Sequence, residues 1–357
     1  MSSDPPTAAR GARPGPRIAL AILLAAATVA GCGGTFGPAQ AEDATPGTLV
    51  PLEDGRRINL RCVGRGSPTV ILESGFSAYS RAWTKVQPAL ARTTRVCAYD
   101  RAGYGFSDPG PLPRDGAAIA RDLDRALEAA KEEGPYVLVG HSAGGLYARL
   151  FAARRPGEVR GLVLLDPTVE ALAPPGRDGL TGIRRRVQRC LAAAEARPQP
   201  APQDPAWEGC VPGWADDHVR KAARDPETWR DQLSELDAIF GRTSEQVARL
   251  GGLLGDVPAY VITASDTAAS AQQVGLIKPQ SLAELQHLRL ALSFGPGFQR
   301  TVYSSHLVMI DRPEVVIEAV SAMVKAARAD SRPEPLPPSE TTTLEPDPAA
   351  EATPPTP

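Results

Sequence analysis

The stretch LVGHSAGGLYARL, residues 138–150, places Ser142 between Gly140 and Gly144 in the pattern G-x-S-x-G. An apolar run that predicts a strand comes directly before the pattern, and a predicted helix follows it. The pattern alone is weak, because glycine and serine are common residues. Between a strand and a helix it indicates a sharp turn that exposes the serine hydroxyl above the strand ends. The meaning of Ser142 therefore depends on the elements around it.

Apolar strands alternate with amphipathic helices along most of the chain. In AAIARDLDRALEAAKEE, Ile119, Leu123 and Leu127 recur at helical spacing, and an Asp-Gly pair between two earlier strands signals a hairpin. Nearly continuous apolar strands separated by helices predict a parallel sheet covered on both faces. Strands of this kind are residues 68–75, 94–100, 136–140, 159–166 and 257–265.

The strand rhythm stops in residues 167–254. This block contains helical pieces such as IRRRVQRCLAAAEA and TWRDQLSELDAIF, broken by the segment RPQPAPQDP, and it has no strand signal. The alternation then returns with a strand, a helix around 281–293, the short strand FQRTVYSS and the helix PEVVIEAVSAMVKAAR. We predict that the block is a helical insertion between two strands of one sheet.

Residues 1–31 have the pattern of a secretory signal, with arginines before the 13-residue apolar run IALAILLAAATVA. This run is too short for a membrane-spanning helix, which needs about 20 residues. It ends in VAGC, which resembles a bacterial lipoprotein signal and predicts lipid attachment at Cys32, the first residue of the mature chain. The alternative is an ordinary cleaved signal with an unlipidated cysteine.

Two further segments are predicted to lie outside the folded domain. Residues 32–46 predict a flexible tether, and residues 329–357, dense in Pro, Glu and Thr, predict a disordered tail.

The net charge of −2 argues against nucleic-acid binding, which needs a basic surface. No phosphate-binding loop, nucleotide fingerprint or metal-ligand spacing is visible, so neither a cofactor nor a metal is expected.

Three motifs now occur in a characteristic order: ESGFSAYSRAW after the third strand, DRAGYGFSD (100–108) after the fourth, and the turn at Ser142. With them the chain resembles the α/β-hydrolase family, and more closely its lid-bearing serine hydrolases, over about residues 47–328. The resemblance implies a mostly parallel eight-stranded sheet flanked by helices. The core would comprise residues 47–166 and 255–328, and residues 167–254 would form a helical lid inserted after the sixth strand.

The resemblance also assigns a base to Ser142, since a serine hydroxyl is a weak nucleophile until a base takes its proton. The chain has four histidines. In the family the catalytic histidine follows the last strand, and this implies that His306 is the base. We expect the His141 side chain to point away from the reacting groups, His218 to lie on a solvated lid helix, and His287 to be structural.

An oxyanion hole needs two backbone N–H donors. The resemblance implies that Ala143, the residue after the nucleophile, supplies one donor and that Phe76, after the third strand, supplies the other. Ser74 stands where the family often has histidine, but the donor is main chain and survives this change.

Two aspartates compete for the role of the acid that orients His306. Asp166 ends the sixth strand, and Asp266 follows the seventh strand, where most of the family keeps its acid. The usual spacing would put that acid one residue later, at Thr267. We favour Asp166, with Asp266 as the alternative acid.

Four cysteines remain after Cys32. Cys190 and Cys210 flank the Pro-rich break in the lid, and a disulfide between them would restrain it. Cys62 and Cys97 lie on strands that are neighbours in the family's sheet order, so a second disulfide is a candidate, with two buried thiols as the alternative.

The predicted function is an exported serine hydrolase that cleaves an ester or related acyl bond of a small-molecule substrate. The lipid anchor at Cys32 would hold it at the outer side of the cytoplasmic membrane; without lipidation it would be secreted. A serine at the nucleophile position argues against epoxide and haloalkane hydrolysis, which use a carboxylate on this fold. The alternatives are a non-catalytic binding protein on the same scaffold, an acyltransferase, or a peptidase with Glu235 and Asp237 as an amine clamp. The simpler interpretation of those two carboxylates is a solvated helix face. Substrate identity and oligomeric state remain open.

Overall fold

Eight strands form one sheet in the order β1-β2-β4-β3-β5-β6-β7-β8. The structure, a computed structural model, describes residues 45–170, 178–211, 217–265 and 280–337. The predicted signal, the lipidation site, most of the tether, and the tail beyond residue 337 lie outside the described residues. The strands are β1 (Thr48–Pro51), β2 (Arg57–Val63), β3 (Thr69–Glu73), β4 (Val96–Tyr99), β5 (Tyr136–His141), β6 (Val159–Leu165), β7 (Ala259–Ala264) and β8 (Gly297–Val302).

The sheet is antiparallel at one edge and parallel everywhere else. The β1–β2 and β2–β4 pairs are antiparallel, whereas β4–β3, β3–β5, β5–β6, β6–β7 and β7–β8 are parallel. Every residue of β3, β5 and β7 is buried, which explains their nearly continuous apolar sequences. β8 ends three residues before the predicted strand does, and the residues that follow form the loop carrying His306.

Helices cover both faces of the sheet, because successive side chains of each strand point to opposite sides. On β5, Leu138 faces a core shared with α2 and α3, while Val137 and Val139 face a core shared with α10. The α-helices of the described residues are α1 (Gln87–Leu90), α2 (Gly116–Ala130), α3 (Gly144–Arg154), α4 (Asp178–Glu195), α5 (Asp217–Ala222), α6 (Pro226–Ala238), α7 (Ser244–Ala248), α8 (Gln280–Ala291), α9 (Val308–Asp311) and α10 (Pro313–Arg328).

The described residues between β6 and β7 contain the helices α4 to α7 and correspond to the predicted lid. Its own small core contains Val187, Trp207 and Trp229 together with the Cys190–Cys210 disulfide. A second disulfide joins Cys62 on β2 to Cys97 on β4, which are opposite each other in the ladder. The structure therefore joins both predicted cysteine pairs.

The described residues past α10 run along the sheet without regular structure. The hydroxyl of Tyr260 donates to the carbonyl of Glu334, and Leu336 packs against the core shared with α10. The start of the predicted tail is thus in contact with the fold. No helix in the described ranges is both long and apolar enough to cross a membrane.

Candidate active site

Ser142 lies in a tight turn between β5 and α3 that only glycine neighbours permit. Its φ of 52° is in the left-handed region, which non-glycine residues rarely adopt. A Cβ on Gly140 would lie 2.7 Å from the carbonyl oxygen of Gly144, and one on Gly144 would lie 2.5 Å from the carbonyl oxygen of Glu73. The two glycines therefore allow α3 and β3 to approach closely enough for the turn to form.

His306 and Asp166 meet across two loops at the same edge of the sheet. The His306 Nδ1 lies 2.6 Å from the Asp166 Oδ2, and the other oxygen of Asp166 accepts the N–H of Ala264 at 3.1 Å. Asp166 is buried with a φ of 40°, whereas 48% of the His306 side chain is exposed. A carboxylate at Nδ1 holds the proton there and leaves Nε2 as the basic nitrogen. Asp266, the alternative acid, lies outside the described residues.

The two histidines next to these residues support the loops. His141 donates from Nε2 to the carbonyl of His306 at 2.8 Å, which links the loop of His306 to the residue before Ser142. Burial, aided by the neighbouring His306, lowers the pKa of His141 to about 3, so this ring is neutral. His287 contacts the carbonyl of Pro167 and the hydroxyl of Thr263, both at 2.9 Å. These contacts, which lie beside Asp166, fit the structural role expected for His287.

His218 is exposed, as expected for a solvated lid helix, but it also contacts the core. Its ring stacks on Phe106 with centroids 4.2 Å apart, and its Nε2 lies 2.9 Å from the carbonyl oxygen of Gly105. These contacts tie α5 of the lid to the turn after β4.

The two candidate oxyanion donors lie on neighbouring backbone segments. Ala143 precedes α3, and Phe76 follows Gly75, at which a Cβ would lie 3.0 Å from the Cβ of Ser142. Within the described residues, no backbone hydrogen bond uses the N–H of Phe76 or Ala143. Ser74, which stands where the resemblance leads one to expect histidine, accepts the indole N–H of Trp83 at 2.9 Å. Neither amide is thus committed to another backbone acceptor, as is required of a donor to an oxyanion.

A buried ionic cluster of Arg101, Glu73 and Glu235, beneath the loop that carries Gly75 and Phe76, was not predicted. Arg101, Glu73 and Glu235 are each 2% exposed or less at the side chain, and Arg101 lies between the two carboxylates. Its Nη1 contacts the Glu73 Oε1 at 2.8 Å, and its Nη2 contacts the Glu235 Oε1 at 3.0 Å. Burial raises the pKa of Glu73 to about 7, against the opposing charge of Arg101. Charged residues at the ends of apolar strands were the available sequence signal for Glu73 and Arg101.

The expectation of a solvated face for Glu235 and Asp237 is wrong for Glu235. Glu235 points into the cluster, while Asp237 forms a half-exposed ion pair with Arg184 on α4. Two helix positions that are two residues apart face different sides, because a helix turns by about 200° between them.

One group of potential metal ligands occurs among the described residues, and it does not fit a metal. It comprises Cys62, Cys97 and Glu132. The two cysteines form a disulfide, so neither offers the thiolate that a metal requires.

Comparisons with known proteins agree with this fold. Residues 68–209 match the sequence model of a family described as alpha/beta hydrolase fold. Among solved structures, a putative lipase from Acinetobacter baumannii superposes with a TM-score of 0.59 at 17% identity, covering 81% of this chain and 94% of that one. An esterase from Thermogutta terrifontis gives 0.54 at 19% identity, covering 78% and 97%. These findings confirm the α/β-hydrolase fold, and residues 68–209 carry the pattern of that family.

Similar sequences add little about function. An uncharacterized Schizosaccharomyces pombe protein is 33% identical over 165 residues, which are 37% of this chain and 30% of that protein. An uncharacterized Bacillus subtilis protein is 23% identical over 76% of this chain and 88% of its own length. The chain spans 30% of the length of each of the first two curated relatives that it matches.

Proposed function

We propose that the chain is a serine hydrolase that cleaves an ester or a related acyl bond. Ser142 is the nucleophile, His306 the general base, and Asp166 the acid that orients the base. The observation that carries the proposal is the 2.6 Å contact between the His306 Nδ1 and the buried carboxylate of Asp166, in a loop bonded to the residue before Ser142. The left-handed backbone of Ser142 and Asp166 adds support, because such strain concentrates at functional sites.

The proposed reaction uses these groups in turn. As the Ser142 Oγ attacks the substrate carbonyl carbon, the His306 Nε2 takes the hydroxyl proton, and Asp166 stabilises the resulting imidazolium. The N–H groups of Phe76 and Ala143 bind the negative oxygen of the tetrahedral intermediate. When the intermediate collapses, the bond to the leaving alkoxide breaks and His306 protonates it. Water then attacks the acyl-enzyme by the same route and releases the acid.

The alternatives have less support. Glu235 already serves Arg101, so it does not offer a free carboxylate to clamp a substrate amine. Structural neighbours include an epoxide hydrolase, at 18% identity, which is informative for the fold alone. Ser142 occupies the turn where carboxylate chemistry on this fold would need an acidic residue. A binding protein would not need a half-exposed histidine oriented by a buried carboxylate.

A fluorophosphonate probe tests the mechanism without knowledge of the natural substrate. We expect an adduct that maps to Ser142 and turnover of short activated esters. Ser142→Ala should fold normally and lose both labelling and turnover. Unchanged turnover by the purified variant would contradict the serine mechanism.

We also propose that the protein is exported and lipid-anchored at Cys32. The support is the basic and apolar pattern that ends in VAGC. The two disulfides among the described residues fit an oxidising compartment outside the cytoplasm.

A further inference from the structure

Glu235 is a lid residue whose carboxylate is buried in the core. It lies on α6, and its Oε1 accepts the Nη2 of Arg101 at 3.0 Å and the hydroxyl of Tyr147 at 2.9 Å. A buried carboxylate is costly unless it is paired and hydrogen-bonded, and these two partners meet that need. Arg101 leads to one of the two candidate oxyanion donors, and Tyr147 leads to the helix that follows the other.

Arg101 fixes the direction of the Phe76 N–H. It donates to the carbonyls of Ser74 at 2.6 Å and Gly75 at 2.9 Å. The carbonyl of Gly75 and the N–H of Phe76 belong to one planar peptide unit. Holding the carbonyl oxygen therefore holds the N–H on the opposite side of the same plane.

Tyr147 connects Glu235 to the first turn of α3. It lies one turn after Ala143 on α3, and its own N–H reaches the carbonyl of Ala143 at 3.4 Å. The Tyr147 hydroxyl, bonded to Glu235, thus anchors the first turn of α3. The Ala143 N–H belongs to the peptide unit of the Ser142 carbonyl, which accepts the N–H groups of Gly145 and Thr168, both at 3.0 Å. Glu235 is therefore coupled through Arg101 to the peptide unit of Phe76, whereas on the other side it supports only the first turn of α3.

We infer that Glu235 is a positioning residue through which the lid orients the N–H group of Phe76. The inference rests on the proposed serine hydrolase function. Glu235 touches no reacting atom; it acts through Arg101, while Tyr147 holds its carboxylate in place. Because the oxyanion exists only after attack, a loosened Phe76 donor should slow the chemical step and leave ground-state binding intact.

The test compares Glu235→Gln with the matched control Asp237→Asn on the same helix. Both changes remove one carboxylate charge at nearly constant size, but only Glu235 contacts Arg101. For a p-nitrophenyl ester, we expect Glu235→Gln to lower kcat by about 10- to 100-fold with KM within about two-fold of wild type. A trifluoromethyl ketone adds to Ser142 and forms an oxyanion, and the affinity of Glu235→Gln for it should fall by a similar factor. The corresponding methyl ketone should bind as before, and Asp237→Asn should match wild type throughout.

The outcomes separate the inference from the function on which it rests. Wild-type protein that neither turns over esters nor labels at Ser142 would overturn the proposed function. Active wild type with a Glu235→Gln variant that differs only in melting temperature would overturn this inference alone.

If Glu235→Gln does not fold, Tyr147→Phe takes its place. It removes one hydroxyl and should show the same pattern at about 3- to 10-fold. Unchanged affinity for the trifluoromethyl ketone in that variant would also overturn the inference.

Discussion

Glu73→Gln should change how the free energy of unfolding depends on pH. Glu73 is 2% exposed, and its burial raises the pKa of its carboxyl to about 7 from an ordinary value of 4.5, although Arg101 acts in the opposite direction. Between these two values the folded protein holds a proton that the unfolded chain releases. The wild-type protein therefore loses stability as the pH rises from about 4.5 to about 7.

The size of this loss follows from the two pKa values. One pKa unit is worth about 1.4 kcal/mol, so the loss is about 3 kcal/mol and is complete above the folded pKa. Glutamine keeps an oxygen for the Arg101 guanidinium but has no titrating proton. The stability of Glu73→Gln relative to wild type should therefore increase by about 3 kcal/mol between pH 4.5 and pH 8.

Urea denaturation followed by circular dichroism at several pH values measures the difference. Glu170→Gln is the control, because the chemical change is the same and the titration is opposite. Burial would raise the pKa of Glu170, but the hydrogen bond and charge of Arg149 outweigh it and lower the pKa. Its contribution is lost only as the pH falls below about 4.5, so the gap between this variant and wild type should stay constant from pH 5.5 to pH 8. A gap between Glu73→Gln and wild type that does not change across the pH range would refute the reasoning.

Three further predictions concern the acid, the lid disulfide and the anchor. Asp166→Asn should lower kcat on an activated ester by about 10³- to 10⁴-fold and Asp266→Asn by little, and the reverse order would make Asp266 the acid. In the Cys190→Ser, Cys210→Ser double variant the free energy of unfolding should fall by about 3 kcal/mol, because the change opens a loop with a sequence separation of 20. An unchanged midpoint in urea denaturation would argue against a stabilising bridge. Cys32→Ser should move the protein from the membrane fraction to the soluble fraction on immunoblots, and unchanged fractionation would reject lipid attachment.

The sequence alone indicated the class of fold and the tight turn at Ser142, because both depend on local order along the chain. The apolar run of β5, the two glycines around Ser142 and the helix that follows specify a strand-turn-helix unit within about 20 residues. The alternation of such units with apolar strands predicts a mostly parallel sheet, and the structure has that sheet.

Contacts between distant residues were decided only by the tertiary structure. Sequence spacing left Asp166 and Asp266 nearly equal as candidates, and packing brings Asp166 to His306 across 140 residues of chain. Glu235 looked like a surface residue, because its helix carries polar residues around its circumference. Its burial depends on Arg101, which lies 134 residues away. A charged side chain can be buried only where its partner is placed, and helical or strand periodicity contains no information about that placement.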